Sequence, residues 1–345
     1  MAPRTVIIGA GFAARVVHLP GFTASGHQVA AICDVNEEPA RKLAAQHNIP
    51  KIYANWREMI DTEKPDAVSV CLPNSLHKEP VLYALERGAH VLCEKPLAIS
   101  VSDAHEMFEA ARAADRVLMA AQLWRFDARS RAVKRCIDAG DLGEIYYGEA
   151  TALRRMGIPT WGVFHQSQFS HGGALLDIGV HMLDLAMWLM GNPTPVRVSA
   201  TAAAKFGKRP EIAKMLRNAW DPATFDVEDF AVALIHFNNG GSLLLRTSWA
   251  AHIDQETFSV RVLGTDAGCT TAPPAIYRNH EGMTIDQKIN VGEAPAQNRQ
   301  MAHWLRVVEG KEAPLVQPAE TLNIQKIIDA AYRSAADGRE VTIGE

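Results

Sequence analysis

The stretch Thr5-Val6-Ile7-Ile8-Gly9-Ala10-Gly11-Phe12-Ala13-Ala14 decides the fold of the first half of this chain. A short β-branched run stops at the pattern G-x-G-x-x-A, and a helix-forming segment follows it. Gly9 allows a tight turn, Gly11 lets the backbone approach a pyrophosphate, and Ala14 permits close packing of strand and helix. The helix N-terminus then offers its N–H groups to phosphates. The stretch predicts a dinucleotide-binding turn whose cofactor contacts are Gly9, Gly11, Phe12 and Ala13.

A second predicted strand, Gln28 to Cys33, ends at an acidic residue, Asp34. An acid at this point hydrogen-bonds the ribose 2′-hydroxyl of the adenosine half and repels a 2′-phosphate. The glycine pattern alone is weak, but strand, turn, helix, strand and acid together are a strong signal. The alternative is an empty Rossmann-like fold that carries an acid by chance. The sequence favours NAD over NADP.

Strands and helices continue to alternate up to Gln122. The run from Ala67 to Leu72 is almost wholly apolar, which is typical of a strand buried in a parallel sheet. Ligands of open α/β sheets bind outside the carboxyl ends of the strands. The polar residues that follow three predicted strands are therefore expected at the cofactor edge: Asn74, His77, Glu94, Lys95 and Gln122. For Asn74 and His77 the alternative is a loop cap and a helix N-terminal histidine.

The second half carries another informative motif, Gly173-Ala174-Leu175-Leu176-Asp177-Ile178-Gly179-Val180-His181. A helix beginning near Asp177 would place Asp177 and His181 on one face. The helix dipole keeps a carboxylate in a first turn ionised, and a histidine one turn later can act as a general base near neutral pH. The alternative is that Asp177 only caps the helix and His181 is a core histidine.

Residues ahead of this motif are candidates for polyol recognition. The segment 154–161 is too rich in glycine and proline for a helix or strand. Aromatic faces suit sugar C–H groups and cations suit hydroxyl oxygens, so the expected substrate contacts are Arg125, Arg154, Trp161 and His165. For Arg154 and its neighbour Arg155 the alternative is a solvated strand end. The polar segment 207–224 is expected to cover the active site or an interface.

Apolar alternation predicts further strands in the second half, including Ala231 to Phe237 and Ser242 to Ala250. The turn signal Asn238-Asn239-Gly240-Gly241 lies between these two runs, which should therefore pair as antiparallel neighbours. Two terminal helices are predicted, from Gln300 to Glu309 and from Thr321 to Asp337.

Composition limits the function classes. The 345 residues can form two domains, and 48% hydrophobic with 21% charged residues is ordinary soluble composition. A net charge of −4 attracts no polyanion, so neither nucleic acid nor membrane is an expected partner. The five cysteines form no CxxC pair and no His/Cys cluster has ligand spacing, so we expect neither disulfides nor metal. Without a signal peptide, the expected location is cytoplasmic.

Together these motifs closely resemble the Gfo/Idh/MocA oxidoreductase family, which includes inositol, glucose and other sugar dehydrogenases. The resemblance covers essentially the whole chain, and Glu94-Lys95-Pro96 paired with the D-x-G-x-H motif is its most specific part. It implies an α/β fold with an N-terminal Rossmann domain (1–123) and a C-terminal α+β domain (124–345). The second domain would contain a large open, mainly antiparallel sheet, through which the family usually forms homodimers or homotetramers.

The resemblance also implies roles for single residues. Lys95 would lie near the nicotinamide ribose and the substrate hydroxyls, Asp177 would be the substrate-site aspartate, and His181 would be the base. Glu94 resembles the residue that contacts the nicotinamide-side ribose. The family often has three glycines before the aspartate, whereas this chain has His171-Gly172-Gly173. His171 either narrows the substrate site or is a surface loop residue.

These residues predict an NAD-dependent dehydrogenase that oxidises a secondary hydroxyl of a sugar, glycoside or polyol. Three alternatives stay open: an NAD-dependent glycosidase using transient oxidation, a non-catalytic nucleotide-sensing regulator, and a reductase of imines or enones. The joint presence of Lys95, Asp177 and His181 argues against the regulator, because a sensor does not need all three.

Overall fold

The computed structural model describes residues 2–217, 219–292 and 294–344. The chain forms two compact units: Met1–Phe126 with Ala294–Leu322, and Asp127–Glu293 with Asn323–Glu345. The predicted division between residues 123 and 124 lies close to the observed one. The segment 294–322 differs, because it belongs to the first unit.

The first unit contains a six-stranded sheet in which every neighbouring pair is parallel. Its strands are β1 Thr5–Ile8, β2 Ala31–Cys33, β3 Lys51–Tyr53, β4 Ala67–Val70, β5 His90–Cys93 and β6 Leu118–Ala120. The strand order β3-β2-β1-β4-β5-β6 is that of a dinucleotide-binding Rossmann sheet, with the reversal of order between β1 and β4. The predicted parallel α/β domain is confirmed.

The helices of this unit begin where polar residues can cap them. They are α1 Leu19–Ala24, α2 Glu37–His47, α3 Trp56–Glu63, α4 Lys78–Glu86 and α5 Val101–Ala113. The side chains of Asn36, Asn55 and Ser100 accept backbone N–H groups in the first turns of α2, α3 and α5. Such caps satisfy donors that have no partner inside the helix.

The second unit contains a nine-stranded sheet of order β14-β13-β12-β11-β7-β10-β9-β8-β15. The strands are β7 Ile145–Leu153, β8 Pro195–Ala203, β9 Phe230–Phe237, β10 Ser242–Ser248, β11 Thr257–Gly264, β12 Ala267–Thr271, β13 Pro274–His280, β14 Met283–Lys288 and β15 Val341–Thr342. Only the β7–β10 pair is parallel among these described strands. The mainly antiparallel sheet and the predicted β9–β10 hairpin are both confirmed.

The helices of the second unit are α6 Ala128–Asp138, α7 Ser167–Ser170, α8 Val180–Leu189 and α9 Pro210–Met215. Helix α8 packs against β7 and β11, and most of its side chains are buried. Within the described residues, one segment, Ser167–Leu189, is long and apolar enough to cross a membrane. Because 89% of its most apolar window is buried in the fold, it has the character of a core helix.

Two helices follow near the end of the chain, α10 Ala296–Val308 and α11 Pro318–Asp337. A close contact explains why α10 belongs to the first unit. A Cβ on Gly21 of α1 would collide with the carbonyl oxygen of Gln297 and with the side chain of Met301. Met301 and Trp304 of α10 are fully buried in the core of that unit.

Candidate active site

The glycine turn after β1 has the two properties that the sequence predicts. Gly9 has φ of +98°, and a Cβ there would overlap the carbonyl oxygen of Cys71. A Cβ on Gly11 would meet nothing closer than that same oxygen, at 4.0 Å. Gly9 is therefore required by the backbone, whereas Gly11 keeps the space beside the turn clear. The chain then enters a π-helical turn, Ala14–His18, a feature often found at functional sites.

Phe12 and Ala13 lie between these glycines and the helix. The Phe12 ring is 47% exposed, and the Arg15 guanidinium lies 5.8 Å from its centroid. Ala13 is the residue that precedes the π-helical turn. Their role as cofactor contacts stays a prediction.

Asp34 connects the end of β2 to the glycine turn. Its Oδ2 accepts the backbone N–H of Ala10 at 2.7 Å, and its Oδ1 accepts that of Asn36 at 2.8 Å. A carboxylate has about four acceptor sites, so these bonds leave capacity for a ribose hydroxyl. The negative charge therefore lies beside the turn, as the NAD prediction requires.

Glu94 follows β5 and is paired with His18, a residue that the sequence reading missed. The His18 Nε2 lies 3.0 Å from the Glu94 Oε1, and the backbone N–H of Lys95 donates to Oε2 at 3.1 Å. Burial opposes ionisation of Glu94, but the hydrogen bond and charge of His18, with the charge of Lys95, outweigh it. The pKa of Glu94 therefore lies below its usual value. In the structure His18 ends the π-helical turn that begins at Ala14, and no sequence pattern identified it.

Three further predicted residues lie shortly after the ends of β4, β5 and β6, respectively: Asn74, Lys95 and Gln122. The Lys95–Pro96 peptide is cis, and Asn74 begins a 3₁₀ turn shortly after β4. Gln122 is 3% exposed, and its Oε1 accepts no hydrogen bond from any residue that the structure describes. A buried amide oxygen of this kind needs a donor. The clear space at Gly11, the Asp34 carboxylate and the Gln122 oxygen together fit a dinucleotide.

His77 is not a cofactor contact. It is fully buried, with Nε2 2.9 Å from the carbonyl oxygen of Leu72 and Nδ1 3.0 Å from that of Pro96. Burial lowers the pKa of His77. The prediction is wrong because the ring is fully buried between the loops after β4 and β5. The neutral imidazole carries one N–H and donates to one of the two carbonyl oxygens at a time.

Arg125 is also misassigned as a substrate contact. Its side chain is fully buried within the first unit and forms an ion pair with Glu320. Its guanidinium also lies 3.4 Å from the carbonyl oxygen of Leu315. A buried cation must be paired, and the segment 294–322, which the sequence reading placed in the other domain, supplies that partner.

In the second unit, Asp177 and His181 lie on one continuous helical segment, but it begins earlier than predicted. A π-helical turn, Leu175–Gly179, contains Asp177 and leads directly into α8, which contains His181. The expected α-helix starting near Asp177 is therefore wrong in detail. The Asp177 Oδ2 accepts the indole N–H of Trp249 at 2.9 Å. Trp249 was not predicted as a site residue; it lies inside the predicted strand Ser242 to Ala250 and directly follows the observed strand β10.

The entry to this helix is held by Glu228, which the sequence reading also missed. Its Oε2 accepts the N–H of Gly173, and its Oε1 accepts the N–H of Leu175, both at 2.9 Å, and the Tyr332 hydroxyl at 3.0 Å. Burial raises the pKa of Glu228 although these hydrogen bonds act against the rise. A Cβ on Gly173 would overlap the Glu228 carbonyl oxygen, and one on Gly172 would overlap the Tyr332 hydroxyl. The two glycines are thus required by packing.

The loop residues predicted to bind substrate are in mixed environments. Arg154 donates to the carbonyl oxygen of Gly157 at 2.9 Å and lies 5.7 Å from the Phe258 ring centroid, so it stabilises its own loop. Trp161 is 43% exposed, whereas His165 is buried. Burial lowers the pKa of His165, against the opposing charge of Asp226. At position 171, where the chain departs from the family pattern, His171 is exposed with φ of +61°, which favours the surface-loop alternative.

Comparisons with known proteins cover the whole chain. Residues 3–122 match a model described as the oxidoreductase family's NAD-binding Rossmann fold, and residues 134–343 match its C-terminal alpha/beta domain. The chain is 38% identical over 344 residues to D-glucoside 3-dehydrogenase of Escherichia coli K12, covering 99% of this chain and 97% of the relative. It is 26% identical to D-xylose 1-dehydrogenase (NADP(+)) 2 of Haloferax volcanii, covering 94% and 95%.

Solved structures agree on the fold. Levoglucosan dehydrogenase in complex with NADH superposes with a TM-score of 0.87 at 21% identity, covering all of both chains. Aldose-aldose oxidoreductase of Caulobacter crescentus, complexed with glycerol, superposes with a TM-score of 0.82 at 25% identity, covering 99% of this chain and all of the other. With both of its domains matched, this chain is an oxidoreductase that belongs to the Gfo/Idh/MocA family.

Proposed function

We propose that this protein is an NAD-dependent dehydrogenase that oxidises the C3 hydroxyl of a D-glucoside. The observation that carries the proposal is the second unit's helix, on which a fixed carboxylate, Asp177, and an imidazole, His181, lie on successive turns. The choice of glucoside and of carbon follows the 38% identity to D-glucoside 3-dehydrogenase over nearly the whole chain.

In this proposal each of three side chains has a separate role in the reaction. Asp177 accepts a hydrogen bond from a hydroxyl next to the reacting carbon and fixes the orientation of the sugar. His181 takes the proton of the C3 hydroxyl while the C3–H bond breaks and its hydrogen leaves as hydride, so that the C3–O bond becomes a carbonyl. By the resemblance of Glu94-Lys95-Pro96 to the family's motif, Lys95 is assigned the stabilisation of the negative charge that develops on the reacting oxygen. NAD, when bound, supplies the acceptor for the hydride.

NAD preference belongs to the same proposal. The Asp34 carboxylate lies beside the glycine turn, where it would accept a ribose 2′-hydroxyl and repel a 2′-phosphate. The next two residues, Val35 and Asn36, carry no positive charge that could bind such a phosphate. The NADP-dependent xylose dehydrogenase of Haloferax volcanii shows that relatives differ in this respect, so the preference needs its own measurement.

We also propose that the chain forms a homodimer or homotetramer through the outer face of its nine-stranded sheet. Strand β9 alternates between buried residues and half-buried residues, and the half-buried set includes Val232 and Leu234. Apolar side chains in such a row are typical of a surface that a second copy covers. Light scattering after gel filtration tests this, and a monomeric mass at micromolar concentration contradicts it.

A substrate panel tests the central proposal. Glucosides, free aldoses, inositols and levoglucosan are incubated with NAD, NADH is followed by absorbance, and products are identified by mass spectrometry. We expect one keto-glucoside per NADH formed. Release of the aglycone without accumulation of NADH would identify the glycosidase alternative. Binding of NAD with no turnover of any substrate would identify the regulator.

A further inference from the structure

We propose that Trp249 is a positioning residue for sugar recognition, because its indole N–H fixes the rotation of the Asp177 carboxylate. This inference rests on the proposed function, in which Asp177 binds a sugar hydroxyl. The Trp249 Nε1 donates to the Asp177 Oδ2 at 2.9 Å, and the tryptophan is fully buried.

The indole is held rigidly, so it can serve as a fixed reference for the carboxylate. The backbone N–H of Trp249 donates to the carbonyl oxygen of Asp229 at 2.9 Å, and its own carbonyl accepts the N–H of Gly157 at 2.7 Å. The ring packs edge-on against Phe225, with centroids 6.4 Å apart and an interplanar angle of 81°. Because the backbone is bound on both sides and the ring is packed, the carboxylate adapts to the indole.

A fixed donor matters because hydroxyl recognition is directional. A hydrogen bond from N–H to a carboxylate is among the stronger ones in proteins, and an indole can only donate. Donation to Oδ2 restricts the rotation of the Asp177 carboxylate and so the range of directions in which its other oxygen can point. Replacing the indole removes this hydrogen bond and with it one restraint on the orientation of the carboxylate before sugar binds.

The support of Trp249 extends to the segment 205–207. The buried Asp229 carboxylate accepts the backbone N–H groups of Lys205, Phe206 and Gly207, at 2.9, 2.7 and 2.8 Å. The same residue's carbonyl oxygen accepts the N–H of Trp249. The start of the polar segment 207–224 and the tryptophan that holds Asp177 are therefore attached to one fully buried residue.

The test compares two matched tryptophan variants, Trp249→Phe and Trp220→Phe. Trp220 is also buried, packs on the same Phe225 and donates its indole N–H at 2.8 Å, but its acceptor is the carbonyl oxygen of Gly207. We expect similar losses of thermal stability in the two variants. Trp249→Phe should lower kcat/KM for the glucoside by roughly 10- to 100-fold, the range for losing one hydrogen bond to a charged group, and should lower it at least about 10-fold more than Trp220→Phe does. The KM for NAD should stay unchanged.

A binding cycle then tests whether the tryptophan acts through Asp177. The dissociation constant of a methyl D-glucoside is measured by calorimetry with saturating NADH, for Trp249→Phe, Asp177→Ala and the double variant. We expect Trp249→Phe to weaken binding about 10-fold when Asp177 is present and less than about 2-fold when it is replaced by alanine. Calorimetry is used because it needs no turnover in the Asp177→Ala variant.

The outcomes separate this inference from the proposed function. If the wild-type protein oxidises no glucoside, the proposed function fails and the sugar-positioning role of Trp249 fails with it. If the wild type is active and both tryptophan variants retain its kcat/KM, or both lose it equally, only the positioning role is overturned. The positioning role is also overturned if the double variant weakens glucoside binding by the product of the two single-variant factors, because the two residues would then act independently.

Discussion

The glycine turn of the first unit and the Asp177 helix of the second are built on the same plan but held in different ways. Each begins with glycines and passes through a π-helical turn, Ala14–His18 in one and Leu175–Gly179 in the other. The first is fixed mainly by nearby sequence, since Asp34 binds the turn at Ala10. The second is fixed by residues far along the chain, Glu228 and Trp249. A local motif thus identifies candidate ligand contacts, but not the distant residues that hold them in place.

The largest effects should come from removing one reacting group from each half. Lys95→Ala and His181→Ala should each lower kcat by roughly 10²- to 10⁴-fold, the usual range for losing an acid–base or oxyanion partner. The exposed His105 on α5 provides a control, and His105→Ala should retain wild-type turnover. Steady-state kinetics with a glucoside measure all three. Wild-type turnover in His181→Ala would show that the assigned base is wrong.

Replacement of a glycine by alanine should have different effects in the two motifs: it should lower stability in one and weaken NAD binding in the other. Gly173→Ala places a Cβ on the Glu228 carbonyl oxygen and should lower the free energy of unfolding by about 3 kcal/mol. Gly11→Ala meets no atom closer than the Cys71 carbonyl oxygen, at 4.0 Å, and should leave stability unchanged while weakening NAD binding. Denaturant unfolding and NAD titration measure the two effects. Equal stability losses in the two variants would remove the contrast between the two regions.

The preference for NAD over NADP tests the role of Asp34 at the glycine turn of the first unit. The double change Asp34→Ser with Val35→Arg removes repulsion of a 2′-phosphate and adds a cation for it. The ratio of kcat/KM for NADP over NAD should rise roughly 10- to 100-fold, as expected for one charge-assisted contact. Asp34→Asn is the control for the loss of charge alone. A wild-type protein that uses NADP as well as NAD would contradict the role assigned to Asp34.

The smallest expected effect concerns Glu228 and its pH dependence. The Glu228 carboxylate accepts hydrogen bonds from three donors, the N–H groups of Gly173 and Leu175 and the Tyr332 hydroxyl. In Glu228→Gln the amide N–H₂ would face one of these donors and lose that hydrogen bond, so the variant should lose about 1 to 2 kcal/mol of stability. Burial raises the pKa of Glu228 above its ordinary 4.5, so the folded state favours the protonated form. The stability gained from that form is complete below pH 4.5 and is lost as pH rises through the raised pKa.

The stability gap between wild type and Glu228→Gln should therefore narrow as pH rises above 4.5. Thermal unfolding midpoints over a pH series measure this gap, with Tyr332→Phe as a control that removes one donor and keeps the carboxyl. A gap that widens with pH would show that the hydrogen bonds outweigh burial.

The sequence predicts residues at strand ends better than it predicts their partners. The parallel sheet, the β9–β10 hairpin and the place of Asp34 follow from local patterns of two to six residues. His77 and Arg125 are misread because their partners, the carbonyl oxygen of Pro96 and the Glu320 carboxylate, are set by tertiary contacts. Strands β12 to β15 gave no prediction from the sequence, because they are short or largely polar and depend on the neighbouring strands for their conformation.

The most direct test of the account is to follow the hydrogen that leaves the sugar. A methyl D-glucoside carrying deuterium at C3 is incubated with the protein and NAD, and both products are analysed by mass spectrometry. The account predicts equal amounts of 3-keto-glucoside and of NADH carrying one deuterium. NADH without deuterium, a keto group at another carbon, or no NADH from any glucoside would contradict it.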